Sequence, residues 1–271
     1  MKHLLGCWDE LRPAIENQYL IICLDYDGTL TPICDKPWQA KLSSPTKVLL
    51  SELASFNDVK MAIVSGRSLA DIKKFVGVPG LIYVGNHGLE IEGPQIMHVH
   101  PDAAVKEELF REISDKLKKS LRIKGVIVEN KKLSVAVHYR LIAKDHVSQA
   151  KNTFLRVAQP FLDQNELVIG EGKKVWEVRS ALLWNKGTAV SWLTARFFAH
   201  CGESILPIYI GDDYTDEDAL ERIKKNGIGV KVMSHLNEQT SANYFLLSPS
   251  EVLAFLKQVK EWKQLKRSEE K

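Results

Sequence analysis

The sequence predicts an α/β fold in which a parallel sheet, covered by helices, is interrupted by an inserted α+β domain. Two observations predict the sheet: short apolar runs rich in β-branched residues recur along the chain, and helical stretches separate them. A third predicts the insertion, because the middle of the chain replaces this alternation with helix, two strands, helix and two strands. At 271 residues, the chain is long enough for both parts.

The first elements introduce the pattern of the sheet domain. Apolar residues recur at helical spacing between Leu4 and Ile15, which predicts an amphipathic helix. The continuous apolar run Tyr19 to Leu24 is typical of a strand buried on both faces of a parallel sheet. The pattern then predicts strands at 60–64, 81–84 and 206–210, and helices at 45–56, 69–76 and 186–200.

The middle of the chain predicts a domain of its own. A long helix at 102–121 and a second at 145–161 each precede two short strands. We therefore expect residues 1–102 and 179–271 to form the α/β core and residues 103–178 to form the inserted domain. The four predicted strands of this domain lie at 126–130, 133–140, 166–170 and 173–179.

The charge balance excludes several classes of partner. The 37 Lys and Arg residues against 34 Asp and Glu give a net charge of only +3, and opposite charges alternate near the C-terminus. This pattern is typical of solvated helix faces and not of a nucleic-acid surface. The longest apolar run is too short to span a membrane, and charged residues interrupt the N-terminus before a signal peptide could form. We expect a cytoplasmic protein that binds neither nucleic acid nor membrane.

The segment LDYDGTLTP contains the first candidate catalytic residues. Asp25 and Asp27 follow the first strand, and Gly28 permits a tight bend after them. Ligands bind at the carboxyl ends of strands in open α/β sheets. Two carboxylates on such a loop can hold a magnesium ion and attack a phosphoryl group. The alternative is an Asp-Gly turn that only ends a strand.

Three further motifs contain polar residues suited to a phosphate site. Ser65, in VSGR, follows the second strand and opens a helix, where a hydroxyl and backbone N–H groups can hold phosphoryl oxygens. Lys186, in NKG, offers an ammonium group; the alternative is an exposed helix start. Residues 211–218, GDDYTDED, concentrate carboxylates where magnesium would bind; the alternative is a solvated acidic helix start.

The inserted domain has strands with one polar and one apolar face. Period-two alternation places Lys173 and Glu177 on one face of their strand and Trp176 on the other. The strand that ends near Arg140 alternates in the same way. Polar residues on such a sheet can bind sugar hydroxyls, or they can form cross-strand ion pairs on a solvated surface.

The order of these motifs resembles that of the haloacid dehalogenase superfamily of aspartate-nucleophile phosphatases. Within it, the sequence is similar to the trehalose-6-phosphate phosphatase family through GNHG, VEN followed by VHYR, GKKVWEVR and GDDYTDEDAL. The resemblance covers the chain from about Leu20 to Tyr244. It implies a Rossmann-like catalytic core with a parallel sheet, and an inserted α+β cap domain that provides substrate specificity.

The resemblance also implies an activity, the magnesium-dependent hydrolysis of trehalose 6-phosphate to trehalose and phosphate. Asp25 would be the nucleophile, and Asp27 would protonate the leaving sugar and then activate water. The Asp25 carboxylate, the Asp27 backbone carbonyl and Asp212 would hold the magnesium ion. Ser65 and Lys186 would contact the remaining phosphoryl oxygens.

Further residues take supporting roles by resemblance. Asp213 and Asp216 would orient the metal ligands. His87 has an alternative role, because a histidine beside glycines can instead satisfy backbone carbonyls. The expected substrate-binding residues are Arg67, His87, Gly88, Glu129, Arg140, Lys173 and Glu177.

Other functions remain open at this point. A phosphatase of another glycosyl phosphate, or a sugar phosphomutase, would keep both Asp25 and Asp27. A non-enzymatic domain that senses a sugar phosphate is the alternative from another class, although a binder has no need of a nucleophile. We expect a monomer with a small-molecule sugar phosphate as its partner. The resemblance leaves open a functional link to a trehalose-phosphate synthase.

Overall fold

The computed structural model describes residues 1–16, 18–201, 204–233 and 239–269. The chain divides into two compact units, one of Met1–His98 with Trp184–Lys271 and the other of Val99–Leu183. The predicted insertion, residues 103–178, begins and ends a few residues inside the second unit.

The strands come in short runs along the whole chain. In the described residues they are β1 (Lys2–His3), β2 (Tyr19–Leu24), β3 (Val59–Val64), β4 (Ile82–Gly85), β5 (Glu90–Gly93), β6 (Ile96–Val99), β7 (Ile127–Asn130), β8 (Ser134–His138), β9 (Leu167–Gly172), β10 (Val175–Ser180), β11 (Ile205–Gly211), β12 (Ile228–Val232) and β13 (Tyr244–Leu246).

Helices separate most of these strands. The described α-helices are α1 (Trp8–Glu16), α2 (Ser44–Ala54), α3 (Leu69–Val76), α4 (Pro101–Ala104), α5 (Glu107–Ser120), α6 (Val147–Asn165), α7 (Lys186–Cys201), α8 (Glu217–Ile223) and α9 (Pro249–Glu269).

The first unit is built on one sheet with the strand order β1-β13-β12-β11-β2-β3-β4-β5-β6. All neighbours from β1 to β4 in this order are parallel, and β5 then pairs antiparallel with β4. The predicted α/β fold class is confirmed. Because β2 lies between β11 and β3, the carboxyl end of β2 is at the centre of the sheet edge where ligands bind.

Both faces of this sheet are buried. Leu20, Ile22 and Leu24 of β2 belong to one apolar cluster, whereas Ile21 and Cys23 belong to another. Alternate residues of a strand point to opposite faces, so the two clusters are the cores on the two sides of the sheet. Helices cover both sides, which explains why β2 and its neighbours β3 and β11 are mostly apolar rather than alternating.

The second unit contains an antiparallel sheet with the order β7-β8-β10-β9. Its apolar face packs on α5 and α6, and Trp176 stacks on Phe154 with ring centroids 5.6 Å apart. Trp176 and Val178 of β10 are both buried in this core. The face with Glu177 is the opposite one, as period-two alternation requires.

Several predicted elements differ in their bounds. The helix expected at 102–121 is two helices, because the Lys106 amide bonds to the Ala103 carbonyl in a tight turn between α4 and α5. In the second unit, β8 ends at His138 and β10 begins at Val175. Arg140 and Lys173 therefore lie outside the strands to which the alternation assigned them.

A helix that spans a bilayer needs about 20 mostly apolar residues. Within the described ranges, none of the helices is long and apolar enough to cross a membrane.

Candidate active site

Three polar residues meet at the edge of the sheet because their strands are neighbours. Asp25 follows β2, Ser65 follows β3, and Asp212 follows β11. All three side chains are buried. The Asp25 amide donates to the carbonyl of Ile210 at 2.9 Å, which continues the parallel pairing of β2 with β11 past the end of β2. The parallel topology thus brings together motifs that lie far apart in the sequence.

Lys186, the first residue of α7, joins two carboxylates. Its ammonium group donates to Asp25 Oδ1 and to Asp216 Oδ1, each at 2.8 Å. Lys186 is 3% exposed, which excludes the alternative of an exposed helix start. A buried ammonium group is tolerated only when it is paired and hydrogen-bonded, and the two carboxylates meet this requirement.

Asp216 is held by donors on both of its oxygens. Besides Lys186, Oδ1 accepts from the hydroxyl of Tyr209 at 2.6 Å, and Oδ2 accepts from the Asp213 amide at 2.8 Å. The Asp213 side chain in turn accepts from the Asp216 amide in a capping box. These reciprocal bonds fix the loop that follows β11, because each residue restrains the backbone of the other.

The pKa values of Asp25 and Asp216 shift in opposite directions, although both carboxyl groups are buried and contact Lys186. Burial raises the pKa of Asp25 well above its ordinary value; Lys186 opposes the shift, and Asp216 and Asp212 add to it. Burial alone would lower the pKa of Lys186, but the Asp216 and Asp25 carboxylates outweigh it and raise that pKa. For Asp216, burial is outweighed by Lys186, which lowers the pKa of the carboxyl. Lys186 and Asp216 therefore form an ionised pair, and Asp25 is the carboxylate short of positive charge.

The residues present fit a divalent metal ion. Oxygen atoms of Asp25, Asp212 and Asp216 lie within 4.8 Å of one another, and all three residues are buried. Carboxylate oxygens are the ligands that magnesium prefers. Because both oxygens of Asp216 already accept hydrogen bonds, Asp25 and Asp212 are the better-placed ligands.

Gly28 is required where the first loop approaches Asp212. Its φ is +95°, and a β-carbon at this position would lie 2.2 Å from Asp212 Oδ2. Glycine tolerates this backbone conformation, and no side chain could occupy the space. The bend predicted at Gly28 thus also allows the two acidic loops to come together.

Asp27 and Arg67 form a bidentate ion pair. Arg67 Nε donates to Asp27 Oδ2 and Nη2 donates to Oδ1, both at 2.6 Å. Arg67 Nη2 also donates to the Pro37 carbonyl at 2.8 Å, and the guanidinium lies 4.6 Å from the ring centre of Phe75. The role of Arg67 in binding substrate stays a prediction; its contacts in the structure make it the residue that orients Asp27.

The GNHG segment supports the loop with Ser65. The His87 amide donates to the Ser65 carbonyl at 3.1 Å, and the Arg67 amide donates to Ser65 Oγ at 3.2 Å. The His87 ring lies so close to Gly66 that a β-carbon there would be 2.5 Å from His87 Cε1. The Gly88 carbonyl accepts from Trp184 Nε1 at 2.8 Å. His87 thus packs against the loop of Ser65, Gly88 contacts Trp184, and the contact of both residues with substrate stays a prediction.

The predicted substrate residues of the second unit fall into two groups. Glu129 and Glu177 lie in one cross-strand row through Ala136, and they therefore share a face of the sheet. Glu177 Oε1 accepts from Ser134 at 2.6 Å and from Lys131 at 3.0 Å. The second group is at one end of the sheet, where Arg140 Nη2 donates to the Lys173 carbonyl at 2.9 Å.

Two residues that contact the predicted site residues in the structure, Lys131 and Tyr209, were not identified from the sequence. Lys131 is buried and forms an ion pair with Glu177. Because Lys131 lies two residues after Glu129, period-two alternation indicates from sequence alone that Lys131 and Glu129 lie on the same face of the sheet. Tyr209 donates to Asp216 from within β11, where it is a hydroxyl-bearing residue in an otherwise apolar run. A buried hydroxyl needs a partner, which is the sequence feature that could have identified Tyr209.

Comparison with known proteins gives consistent results. The family model described as trehalose-phosphatase matches residues 23–250. The probable trehalose-phosphate phosphatase D of Arabidopsis thaliana is 36% identical over 274 residues, covering 96% of this chain and 72% of that protein.

Two solved structures show the same fold at lower sequence identity. A trehalose-6-phosphate phosphatase related protein is 24% identical with a TM-score of 0.78, covering 91% of this chain and 99% of the other. The C-terminal domain of the C. albicans trehalose-6-phosphate phosphatase is 24% identical with a TM-score of 0.75, covering 92% of this chain and 97% of the domain.

Proposed function

Because the chain belongs to the trehalose-phosphatase family, we propose that it hydrolyses trehalose 6-phosphate to trehalose and phosphate through an aspartyl phosphate on Asp25. The observation that carries this proposal is the buried cluster at the end of β2. There Asp25 lies in contact with Lys186 and close to Asp212, the arrangement needed to bring a nucleophile and a phosphoryl group together.

Two proton transfers and two bond exchanges at phosphorus complete the proposed reaction. A carboxylate oxygen of Asp25 attacks phosphorus, the bond to the sugar oxygen breaks, and Asp27 gives its proton to that oxygen. Water then attacks the phosphorus of the aspartyl phosphate, and Asp27 takes a proton from it. Phosphate leaves, and the Asp25 carboxylate is restored. Ser65 and Lys186 would hold the phosphoryl oxygens through both steps.

Magnesium would bind to the carboxylates of Asp25 and Asp212 and to the Asp27 backbone carbonyl. When bound, it would supply positive charge to the phosphoryl oxygens and the nucleophile. The raised pKa of Asp25 supports this role, since burial and neighbouring carboxylates leave that group in need of positive charge. Asp216 would keep Lys186 in place, and Asp213 would hold the loop.

Under this proposal, one part of the chain carries out catalysis and the other recognises the sugar. Residues 1–102 and 179–271 provide the catalytic core, and residues 103–178 provide a cap that recognises the sugar. Support comes from the polar face of the second sheet, where Glu177, Lys131 and Ser134 form a buried hydrogen-bonded group. Buried hydrogen-bonded groups have fixed geometry, which suits the recognition of hydroxyls.

The test is phosphate release from a panel of sugar phosphates, with magnesium and with a chelator. We expect trehalose 6-phosphate to be clearly preferred and the chelator to abolish the activity. A preference for another glycosyl phosphate would leave the chemistry standing and overturn the substrate. A need for a bisphosphate activator, with no net release of phosphate, would indicate a phosphomutase. Binding without turnover would indicate a sensing domain.

Replacing Glu177 with alanine is expected to separate sugar recognition from chemistry. Loss of one sugar contact costs about 1–3 kcal/mol, so kcat/KM for trehalose 6-phosphate should fall roughly 5- to 150-fold. An aryl phosphate has no sugar hydroxyls to lose and should be hydrolysed at close to the wild-type rate. The measurement is kcat/KM for both substrates.

Glu171 provides the matched control for this variant. It is a glutamate in the same sheet, but it pairs with Trp176 and so lies on the opposite face. Glu171→Ala should leave both substrates unaffected. Equal losses on the two substrates in Glu177→Ala would instead assign Glu177 to the folding of the cap.

The cellular context of the protein stays predicted. We expect a cytoplasmic monomer, as predicted from the sequence. The functional link to a trehalose-phosphate synthase is likewise an expectation from the family resemblance.

A further inference from the structure

A second buried lysine lies beside the acidic loop. Lys231 is the fourth of the five residues of β12, between Val230 and Val232, and is only 3% exposed. Its register partner in β11 is Gly211, the last residue before the loop that begins with Asp212. A lysine is almost never fully buried unless its charge is paired, so the burial of Lys231 has to be explained by its contacts.

The ammonium group of Lys231 connects the loop to the start of α8. It donates to the Asp213 backbone carbonyl at 2.8 Å and to Glu217 Oε1 at 2.9 Å. The other oxygen of Glu217 accepts from Thr240 Oγ1 at 3.0 Å and from the Ser241 amide at 2.9 Å. Glu217 is therefore fixed from two sides, and it holds Lys231 against the loop.

These contacts fix the backbone on both sides of Asp213. The peptide group between Asp212 and Asp213 is held through the Asp213 amide, which donates to Asp216 Oδ2. The next peptide group is held through the Asp213 carbonyl, which accepts from Lys231. Because peptide groups are planar, holding two successive ones sets the backbone dihedrals between them. The Cα atom of Asp212 belongs to the first of these two peptide groups, so the position of the Asp212 side chain depends on how that group is held.

We infer that Lys231 is a positioning residue for the metal site, acting on Asp212 through the Asp213 carbonyl. The inference rests on the proposed magnesium dependence. Magnesium demands nearly ideal octahedral geometry at short distances, so a small displacement of one ligand loop weakens binding. Residues that hold the ligands typically contribute 10- to 100-fold to metal affinity.

The test is direct titration of Mn²⁺, a paramagnetic substitute for magnesium, into Lys231→Met without substrate. Electron paramagnetic resonance measures the free ion and gives the dissociation constant. We expect that constant to rise 10- to 100-fold. In steady-state assays, the variant should need more magnesium for half-maximal activity, and its KM at saturating magnesium should stay near the wild-type value. Because metal binding also stabilises the folded state, the titration is carried out under conditions in which both wild type and variant are folded without metal.

Lys263 offers a matched control elsewhere in the same unit. It is equally buried, on α9, and it likewise contacts one carboxylate, that of Asp58, and one backbone carbonyl, that of Gln18. In chelator, Lys231→Met and Lys263→Met should each lower thermal stability, because each removes one partner of an ion pair. Lys263→Met should nevertheless keep its Mn²⁺ affinity within about twofold of wild type, because the pair that it removes lies away from the proposed metal ligands.

The outcomes separate this inference from the proposed function. Wild-type affinity in Lys231→Met, or an equal loss in Lys263→Met, overturns the positioning role while the metal site stands. Failure of the wild-type protein to bind Mn²⁺ would overturn the metal dependence itself. Should Lys231→Met not fold, Glu217→Gln decides, because it preserves shape and removes the charge that holds Lys231; wild-type affinity in that variant overturns the inference.

Discussion

Asp25→Asn is expected to abolish phosphate release and to leave the fold intact. A neutral amide is a poor nucleophile and a weaker metal ligand, so kcat should fall by about four orders of magnitude or more. The measurement is phosphate release at saturating substrate and magnesium. Activity within about tenfold of wild type would show that the nucleophile lies elsewhere.

In the presence of a chelator, Asp25→Asn should be at least as stable as wild type. Burial raises the pKa of Asp25, so the folded chain holds that proton more tightly than the unfolded chain does. The free energy of unfolding of wild type therefore falls as pH rises from the ordinary carboxyl pKa towards the raised one. Asparagine has no ionisable group, so the variant does not lose this stability. Thermal unfolding at neutral pH should give an equal or higher Tm, and magnesium should raise the Tm of wild type more than that of the variant.

An exposed aspartate on α1 provides the control for this pair of measurements. Asp9→Asn makes the same chemical change at a solvated helix start and should alter neither activity nor the response of Tm to magnesium. A lower Tm of Asp25→Asn in chelator would mean that the Asp25 carboxylate stabilises the fold through Lys186 more than burial destabilises it.

Lys186→Met is expected to reduce both activity and stability. It removes the ammonium group that contacts Asp25 and Asp216, and two buried carboxylates lose their counter-charge. Removal of one partner from a buried ion pair costs about 3–5 kcal/mol of the free energy of unfolding. Loss of a positive charge beside the phosphoryl group should lower kcat at least about a hundredfold. Chemical denaturation and phosphate release measure the two effects.

The double variant Lys186→Met with Asp216→Asn distinguishes the two roles of the lysine. It removes one positive and one negative charge together, so much of the lost stability should return. Activity should stay low, because the ammonium group near Asp25 is still missing. Recovery of activity together with stability would show that Lys186 only maintains the fold.

The central strands β2, β3, β4 and β11 of the first unit were predictable because they are largely apolar on both faces, whereas β1, β5, β12 and β13 were not among the predicted strands. The bounds predicted for β2 and α3 agree with the structure, since an apolar run bounded by polar residues leaves little choice of strand ends. All four strands of the second unit were predicted, but the bounds of these strands were less accurate. Arg140 and Lys173 follow the period of their strands but lie in the chain beyond the strand ends, which no periodicity can reveal.

The site was predictable as a set of motifs but not as a network. Strand ends in a parallel sheet share one edge, so Asp25, Ser65 and Asp212 could be grouped from sequence alone. The hydrogen-bond partner of each side chain could not be predicted from the sequence. Arg67 follows Ser65 closely and was assigned to substrate, yet both of its bonds to a carboxylate go to Asp27, from a different loop. Such pairings depend on side-chain directions in three dimensions.

The place of β2 in the sheet determines when this site can form during synthesis. β2 pairs on one side with β3, a short distance along the chain, but on the other side with β11, which is translated only after the whole second unit. Closing so long a loop is slow, and an unpaired strand edge is exposed until it happens. Asp25 meets Lys186 and Asp212 only then, so in a nascent chain the candidate site cannot assemble until β11 and the loop after it have left the ribosome.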